Sequence, residues 1–574
     1  MRSRRRLEIA ILLLVASVLP SESTYAQPTK SSPSAPRANA SSTQKPEGAA
    51  GLLSGIVASG RLEDLRWPNF SDYRSQLVSF YRPSGYKPAW VRDGAPTAQA
   101  VEVIQILQDA DREGLRAEDY DASRWAGRVT LLGGAHENAD EARFDVALTV
   151  CAMRYVSDLQ VGRINPQHLG FEFDISDNKL DLSQFVRQDL VNGSDLRSEL
   201  AEVGPPFAGY QRLRDALHHY MELEKSQNNN EEKLIDPGLV SPGGWYSDLG
   251  HLASRLRLLG DLPDSAMIPP DSKKYEGALV DAVKHFQERY GLRPTGDLDS
   301  KTIAELNVPL SDRLEQIRLG LERYRWLPYH FKQPPIVINV PEFRLYGFEE
   351  GNRIGLTMKV NVGDQYDFQT PMFEKDMLYV VFRPYWNPPP EILRNEIIPD
   401  LKEDPSLEEN DLELVSASGK VIKSGDVTPA MWQQLRGGKL TVRQPPGPEN
   451  ALGLVKFIFP NKHHVYIHDT PESENKFAGK ERAISHGCIH AEEPAELAAW
   501  VLRNKPDWSM GRVEKAMHEG PDNVRVNLAS PIPVLIIYVT AVVEENGDIH
   551  FFHDIYGHDA TLEEELAKGY PYPK

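Results

Sequence analysis

At Pro335 the texture of the chain changes. Upstream, apolar residues recur at helical spacing; downstream, they gather into short runs of β-branched and aromatic residues. Segments 336–340 and 343–346 are separated by Pro341-Glu342, and 358–363, 378–382, 454–459, 465–468 and 533–542 continue the pattern, with a ribbon near His550-Phe551-Phe552. Trp386-Asn387-Pro388-Pro389-Pro390 interrupts the strands, and 391–449 is a charged, partly helical insertion. A helix is expected over 494–502. Residues 335–574 are therefore predicted to form a mainly β domain with an inserted flap.

The first half of the chain reads differently. Segments 98–107 and 143–159 carry helical periodicity, and 52–236 is predicted to be a helical domain. Phe80, Tyr81, Tyr86 and Trp90 suit its core. Cys151 sits in the apolar run 146–153, where a buried small hydrophobe is expected. After an Asn-rich connector at 226–232, residues 237–308 form a compact unit. It has helices at 249–259, 275–290 and 299–306, with Val280, Val283 and Phe286 on one face of the second. A connecting helix occupies 309–334.

The N-terminus predicts export. Arg2, Arg4, Arg5 and Arg6 precede an apolar stretch at 9–19, shorter than the ~20 residues of a membrane span, and Thr24-Tyr25-Ala26 offers a cleavage site. A signal peptide is expected at 1–26 and a disordered linker at 27–51. An uncleaved N-terminal anchor is the alternative, and Ser3-Arg4-Arg5 leaves twin-arginine export open. A net charge of -19 speaks against a general nucleic-acid binder, and two cysteines make no disulfide framework.

One of those cysteines lies in Ser485-His486-Gly487-Cys488-Ile489-His490, downstream of Val465-Tyr466-Ile467-His468-Asp469-Thr470-Pro471. A thiol beside imidazoles permits nucleophilic catalysis, since a nearby base or positive charge generates the thiolate. His464, His468, His486, Cys488 and His490 are also zinc-ligand types, and His464 and His468 would share one side of a strand. Their spacing matches no closed zinc pattern. No metal and no cofactor are expected.

Two resemblances narrow the chemistry. Ala282-Val283-Lys284-His285-Phe286-Gln287-Glu288-Arg289-Tyr290-Gly291-Leu292, with Gly296 and Thr302-Ile303-Ala304-Glu305-Leu306-Asn307, resembles the three-helix peptidoglycan-binding repeat. Ile467-His468-Asp469-Thr470-Pro471 followed by Ser485-His486-Gly487-Cys488-Ile489 resembles the signature of L,D-transpeptidases. Met372, Trp386-Asn387-Pro388-Pro389 and Pro446-Gly447-Pro448-Glu449-Asn450-Ala451-Leu452-Gly453 resemble the large multi-domain Gram-negative branch of that family, which implies a helical scaffold domain at 52–236 and a peptidoglycan-binding-like domain at 237–308.

Acyl transfer between peptide amines needs a nucleophile, a base and oxyanion donors. Cys488 is the expected nucleophile and His468 the base, oriented by the Asp469 carbonyl. Gly487 allows close backbone approach, and the Cys488 N–H is an oxyanion donor. The resemblance favours His468 over the adjacent His486, which takes a supporting role. Ser485, His490, Arg482 and Asn450 are candidate substrate contacts. At position 490 the family commonly has Arg or Asn; His490 is a departure, and Arg482 is a candidate to compensate.

The resemblance implies a periplasmic enzyme acting on peptidoglycan tetrapeptide stems. It would form direct diaminopimelate–diaminopimelate cross-links through a cysteine acyl-enzyme with release of D-alanine, inhibitable by carbapenems. Other cell-wall synthesis enzymes are possible partners. An L,D-carboxypeptidase, a protein-to-peptidoglycan attachment enzyme and a non-catalytic wall-binding scaffold remain alternatives.

Overall fold

The computed structural model describes residues 48–226, 232–269, 272–471, 476–570 and 572. The expected signal segment, most of the linker and most of the Asn-rich connector lie outside them.

The helical half is built on α1 (Asn138–Val161), which buries side chains all around its length. A helix apolar on every side must be surrounded, and the preceding helices enclose it. Phe80, Tyr81 and Trp90 belong to this core, as their aromatic content predicts. Asp145 on α1 is buried and receives the Tyr81 hydroxyl and the Trp90 backbone N–H, both at 2.7 Å. Cys151 is fully buried, and desolvation pushes its thiol far above the ordinary range.

Next come α2 (Ala208–Ser226) and the short helices α3 (Leu249–Leu258), α4 (Ala278–Arg289) and α5 (Ser300–Leu306), followed by α6 (Leu310–Tyr324). Val283 and Phe286 are fully buried in their shared core. That core also takes in Ala541, Val543, Ile549 and Phe551 from a C-terminal hairpin. Tyr290 stacks on Phe551 with centroids 5.3 Å apart, so the late ribbon braces the three-helix module.

The β half contains β1 (Ile336–Asn339), β2 (Arg344–Glu349), β3 (Arg353–Gly363), β4 (Phe373–Phe382), β5 (Val455–Ile458), β6 (Ile467–His468), β7 (Ala483–Ser485), β8 (Ile489–Ala491) and β9 (Val524–Ile537). They form one sheet in the order β7-β3-β8-β6-β5-β4-β9-β1-β2, and β2 pairs back onto β3. That return closes the sheet into a barrel and removes its long free edges. Helix α7 (Pro494–Val501) follows β8, close to its expected span.

The insertion differs from a merely charged, partly helical segment. Its centre is a three-stranded sheet of Glu413–Ser416, Val421–Ile422 and Leu440–Arg443 over its own apolar core, which includes Leu401, Leu407 and Leu414. Strands of two to four residues are too short to show alternation amid charged neighbours.

The last described residues return to the helical half. The Tyr570 hydroxyl donates to Asp158 of α1, and that of Tyr572 to Asp119 at 2.7 Å. Arg154 lies 4.9 Å from the centroid of the Tyr570 ring. Among the described residues no helix is long and apolar enough to cross a membrane.

Candidate active site

Strand register brings the chemistry together. His468 on β6 pairs in parallel with His490 on β8, His490 pairs with Asn361 on β3, and Lys456 on β5 pairs with His468. Directly paired residues share a face, so these four side chains form a row across one side of the sheet. The alternate residues Ile467, Ile489 and Phe457 are fully buried on the other side and anchor the row. Cys488, two residues before His490, shares the row's face at the opening of β8 and is half-buried.

The cysteine loop is held by its own backbone. Gly487 has φ +97°, a conformation that L side chains rarely adopt. Its N–H donates to Ser485 Oγ at 3.2 Å, and its carbonyl accepts from Thr370 Oγ1 at 3.0 Å. Thr370 Oγ1 in turn accepts the Gly363 N–H at 2.8 Å. Ser485 is buried, and its hydroxyl donates to the Cys488 carbonyl. It braces the turn. The thiol donates to the His464 carbonyl at 3.9 Å, and His464 itself has φ +56°.

His468 is buried with Nδ1 2.6 Å from the Asp469 carbonyl. A carbonyl only accepts, so Nδ1 carries the proton and Nε2 is the basic nitrogen of the neutral ring. The Asp469 carboxylate accepts the Leu454 N–H at 2.8 Å and the Thr470 N–H at 2.7 Å, which fixes the peptide that orients the ring. Gly453 makes room for this: a Cβ there would lie 2.4 Å from the Asp469 side chain, and φ is +57°.

Electrostatics keep both partners neutral at rest. Burial lowers His468 to about 4, against the support of the Asp469 carbonyl, with the charges of Lys456 and Lys476 lowering it further. Burial raises the Cys488 thiol to about 11, opposed by a backbone hydrogen bond at Tyr466 and by the Lys456 charge. Burial thus disfavours the charged form of each group, the imidazolium of His468 and the thiolate of Cys488.

The other expected residues have definite places. His490 packs beside His468 with ring centroids 4.7 Å apart, and burial followed by the neighbouring His468, Lys476 and His486 holds it neutral. This position therefore presents a hydrogen-bonding ring where an arginine would present a permanent cation. His486 is exposed, its Nε2 3.0 Å from Glu396 Oε1 of the flap and its ring 4.6 Å from that of Phe368. Arg482 is buried and spends its guanidinium on the carbonyls of Val360, Gly479 and Phe343 at 3.2, 2.9 and 3.0 Å. Asn450 is fully buried, with its amide donating to Pro445 O at 2.8 Å and Pro384 O at 3.2 Å. These two side chains brace loops and are committed before any substrate arrives.

Lys456, Asn361, Thr370 and Glu396 lie outside the sequence motifs that mark the site. Only Lys456 left a trace: it alternates with Val455 and Phe457 and so had to face away from the core. Asn361 is fully buried with both ends of its amide unpaired, as is Nδ1 of His490 beside it. Among the described residues no three His, Cys, Asp or Glu side chains converge as a metal-holding group.

Three family models match the chain. They are a scaffold domain over residues 75–217, a "putative peptidoglycan binding domain" over 247–306 and an L,D-transpeptidase catalytic domain over 334–526. A curated protein of Haemophilus influenzae, described as a "putative L,D-transpeptidase", is 30% identical over 268 residues. That match covers 45% of this chain and 52% of the relative, so the chain spans about half the length of the curated relative it matches. The crystal structure of an L,D-transpeptidase (residues 123–326) from Xylanimonas cellulosilytica aligns at 15% identity over 53% of this chain and 98% of that one, with a TM-score of 0.17, too loose a superposition to argue from.

Proposed function

We propose, since this chain carries an L,D-transpeptidase catalytic domain beside a scaffold domain and a peptidoglycan-binding module, that it forms direct diaminopimelate–diaminopimelate cross-links in peptidoglycan. The observation that carries the proposal is the placement of Cys488 and His468 on one sheet face, with the imidazole oriented by the Asp469 carbonyl.

His468 Nε2 takes the thiol proton as Cys488 Sγ attacks the diaminopimelate carbonyl of a tetrapeptide stem. The Cys488 N–H supports the oxyanion, whereas the Gly487 N–H is already committed to Ser485. Collapse breaks the bond to D-alanine, whose amine leaves with the proton from His468, and a thioester remains. The amine of a second diaminopimelate, deprotonated by His468, then attacks the thioester and restores the thiol. Water in that role would give an L,D-carboxypeptidase, and an amine on an anchored protein an attachment enzyme.

The peptidoglycan-directed domains support an exported, wall-associated protein, and the basic and apolar N-terminal sequence supports the periplasm. On the binding module, Trp245 is 75% exposed beside a cavity of about 340 Å³ lined also by Tyr246 and Lys273, the surface best suited to a sugar face.

The test is purified enzyme with tetrapeptide muropeptides. Expected are D-alanine release, direct diaminopimelate-linked dimers and a transient mass gain on Cys488. D-alanine release without dimers would shift the assignment to a carboxypeptidase; no release would overturn it and favour a non-catalytic scaffold.

Two variants probe the site's construction. Gly453→Ala should lower acylation about 100-fold, because a Cβ at that position displaces Asp469 and with it the carbonyl that aims His468. Single-turnover D-alanine release measures this. Replacing the flap by a short linker should raise hydrolysis relative to transfer by about tenfold, ~1.4 kcal/mol in relative barrier, because Glu396 ties the flap to the cysteine loop and the flap shields the thioester. An unchanged product ratio would remove the shielding role.

A further inference from the structure

The helical half reaches into the wall of the active site. Ile164, Phe171 and Phe173 leave the scaffold after α1 and are buried in the same apolar core as the barrel strands. Glu172, between the two phenylalanines, bridges to Phe373 at the start of β4, and its N–H donates to the Met372 carbonyl at 2.9 Å. Alternation then turns its side chain away from the core. Glu172 Oε1 meets Lys462 Nζ at 2.7 Å and His463 Nε2 at 2.8 Å.

Both partners belong to the turn between β5 and β6. Asn461 closes that turn by donating to the Phe459 and Val465 carbonyls at 2.8 and 2.7 Å, and the His463 ring stacks on Phe373 at 5.7 Å. The next residue is His464, held at φ +56°, whose carbonyl accepts the Cys488 thiol. A scaffold carboxylate therefore lies one residue from the group that orients the nucleophile, although Glu172 and His463 are 291 positions apart in sequence. Partial burial raises the Glu172 carboxyl, but the hydrogen bonds from Lys462 and His463 outweigh it and hold the group below its usual range, which matches a carboxylate committed to this contact.

We propose that Glu172 is a positioning residue: by pinning the turn at 461–464 it fixes the His464 carbonyl and so the aim of the Cys488 thiol, making acylation depend on a docked scaffold. The inference rests on Cys488 being the nucleophile of the proposed reaction. It differs from simple domain glue in that its loss should alter the reactivity of one thiol.

The test uses the full chain with Glu172→Gln, Glu172→Asp, and His463→Gln alone and combined with Glu172→Gln, the His463 variant removing the imidazole contact, with that of Lys462 left in place, without touching the scaffold. Thermal unfolding first identifies folded variants. Iodoacetamide alkylation of Cys488 is then followed against pH, together with kcat and KM for D-alanine release. Expected is a 10- to 100-fold drop (about that of a small misplacement) in kcat for Glu172→Gln with KM near wild type, partial rescue in Glu172→Asp, and an altered Cys488 alkylation profile. The double variant should lose no more than Glu172→Gln alone, because the His463 contact is one of the two that Glu172 makes. Folded Glu172→Gln and His463→Gln with wild-type alkylation and kcat would overturn the proposal. Alkylation needs no substrate. A changed alkylation profile in a chain that releases no D-alanine would uphold the role of Glu172 and sink the transpeptidase assignment instead.

Discussion

Replacing Cys488 by alanine should abolish both D-alanine release and cross-link formation, a loss of about 10⁴- to 10⁶-fold. The fold should be little affected, because the thiol is half-buried and its hydrogen bond to the His464 carbonyl is long at 3.9 Å. Thermal unfolding and muropeptide chromatography on the same preparation separate the two effects. Cys488→Ser should be nearly as inactive, since a hydroxyl is a far weaker nucleophile than a thiol with only a neutral imidazole to activate it. The outcome also discriminates against zinc. If the alanine variant kept its activity and a chelator removed it, the histidines would be acting as ligands and the thiol mechanism would be wrong.

Replacing His468 by alanine should slow acylation about 10²- to 10⁴-fold at neutral pH, the usual worth of a positioned general base. The pH dependence is more diagnostic. His468 is depressed to about 4 and Cys488 raised to about 11, so wild-type acylation should be flat across the neutral range. It should fall only as pH drops towards 4, where protonation of His468 removes the base. Without His468, the rate should follow the thiolate fraction and climb about tenfold per pH unit towards pH 11. Iodoacetamide alkylation of wild-type Cys488 should climb in the same way. A plateau of alkylation already reached at neutral pH would mean a preformed ion pair and would contradict the neutral resting state.

The site's principals were legible because their signals are local. Ser-His-Gly-Cys and Ile-His-Asp-Thr-Pro are contiguous, and a histidine ending a β run announces its own strand. The remainder depends on which strands become neighbours. Lys456 and Asn361 join the row only because β5 and β3 flank β6 and β8, a register that no short window of sequence encodes. Arg482 and Asn450 show the opposite failure. Both are polar residues near a motif and so looked available for substrate, but their side chains are taken up by backbone carbonyls of distant segments. The boundary at Pro335 marked a real change from helix to strand, yet it hid how far the halves interpenetrate. Phe171 and Phe173 pack among barrel residues, a contact visible only after both halves are folded.

The tyrosines near the C-terminus bear on the order in which the molecule can be made. Tyr570 and Tyr572 supply hydrogen bonds to Asp158 and Asp119, two buried carboxyls of the first half. A ribosome makes those tyrosines only after both aspartates and all the barrel strands. Until they form, Asp158 has the Tyr120 hydroxyl and Asp119 the Trp67 indole N–H as donors, and each lacks the second donor that completes it. The polar interior of the helical half is therefore completed only once the barrel half has been made.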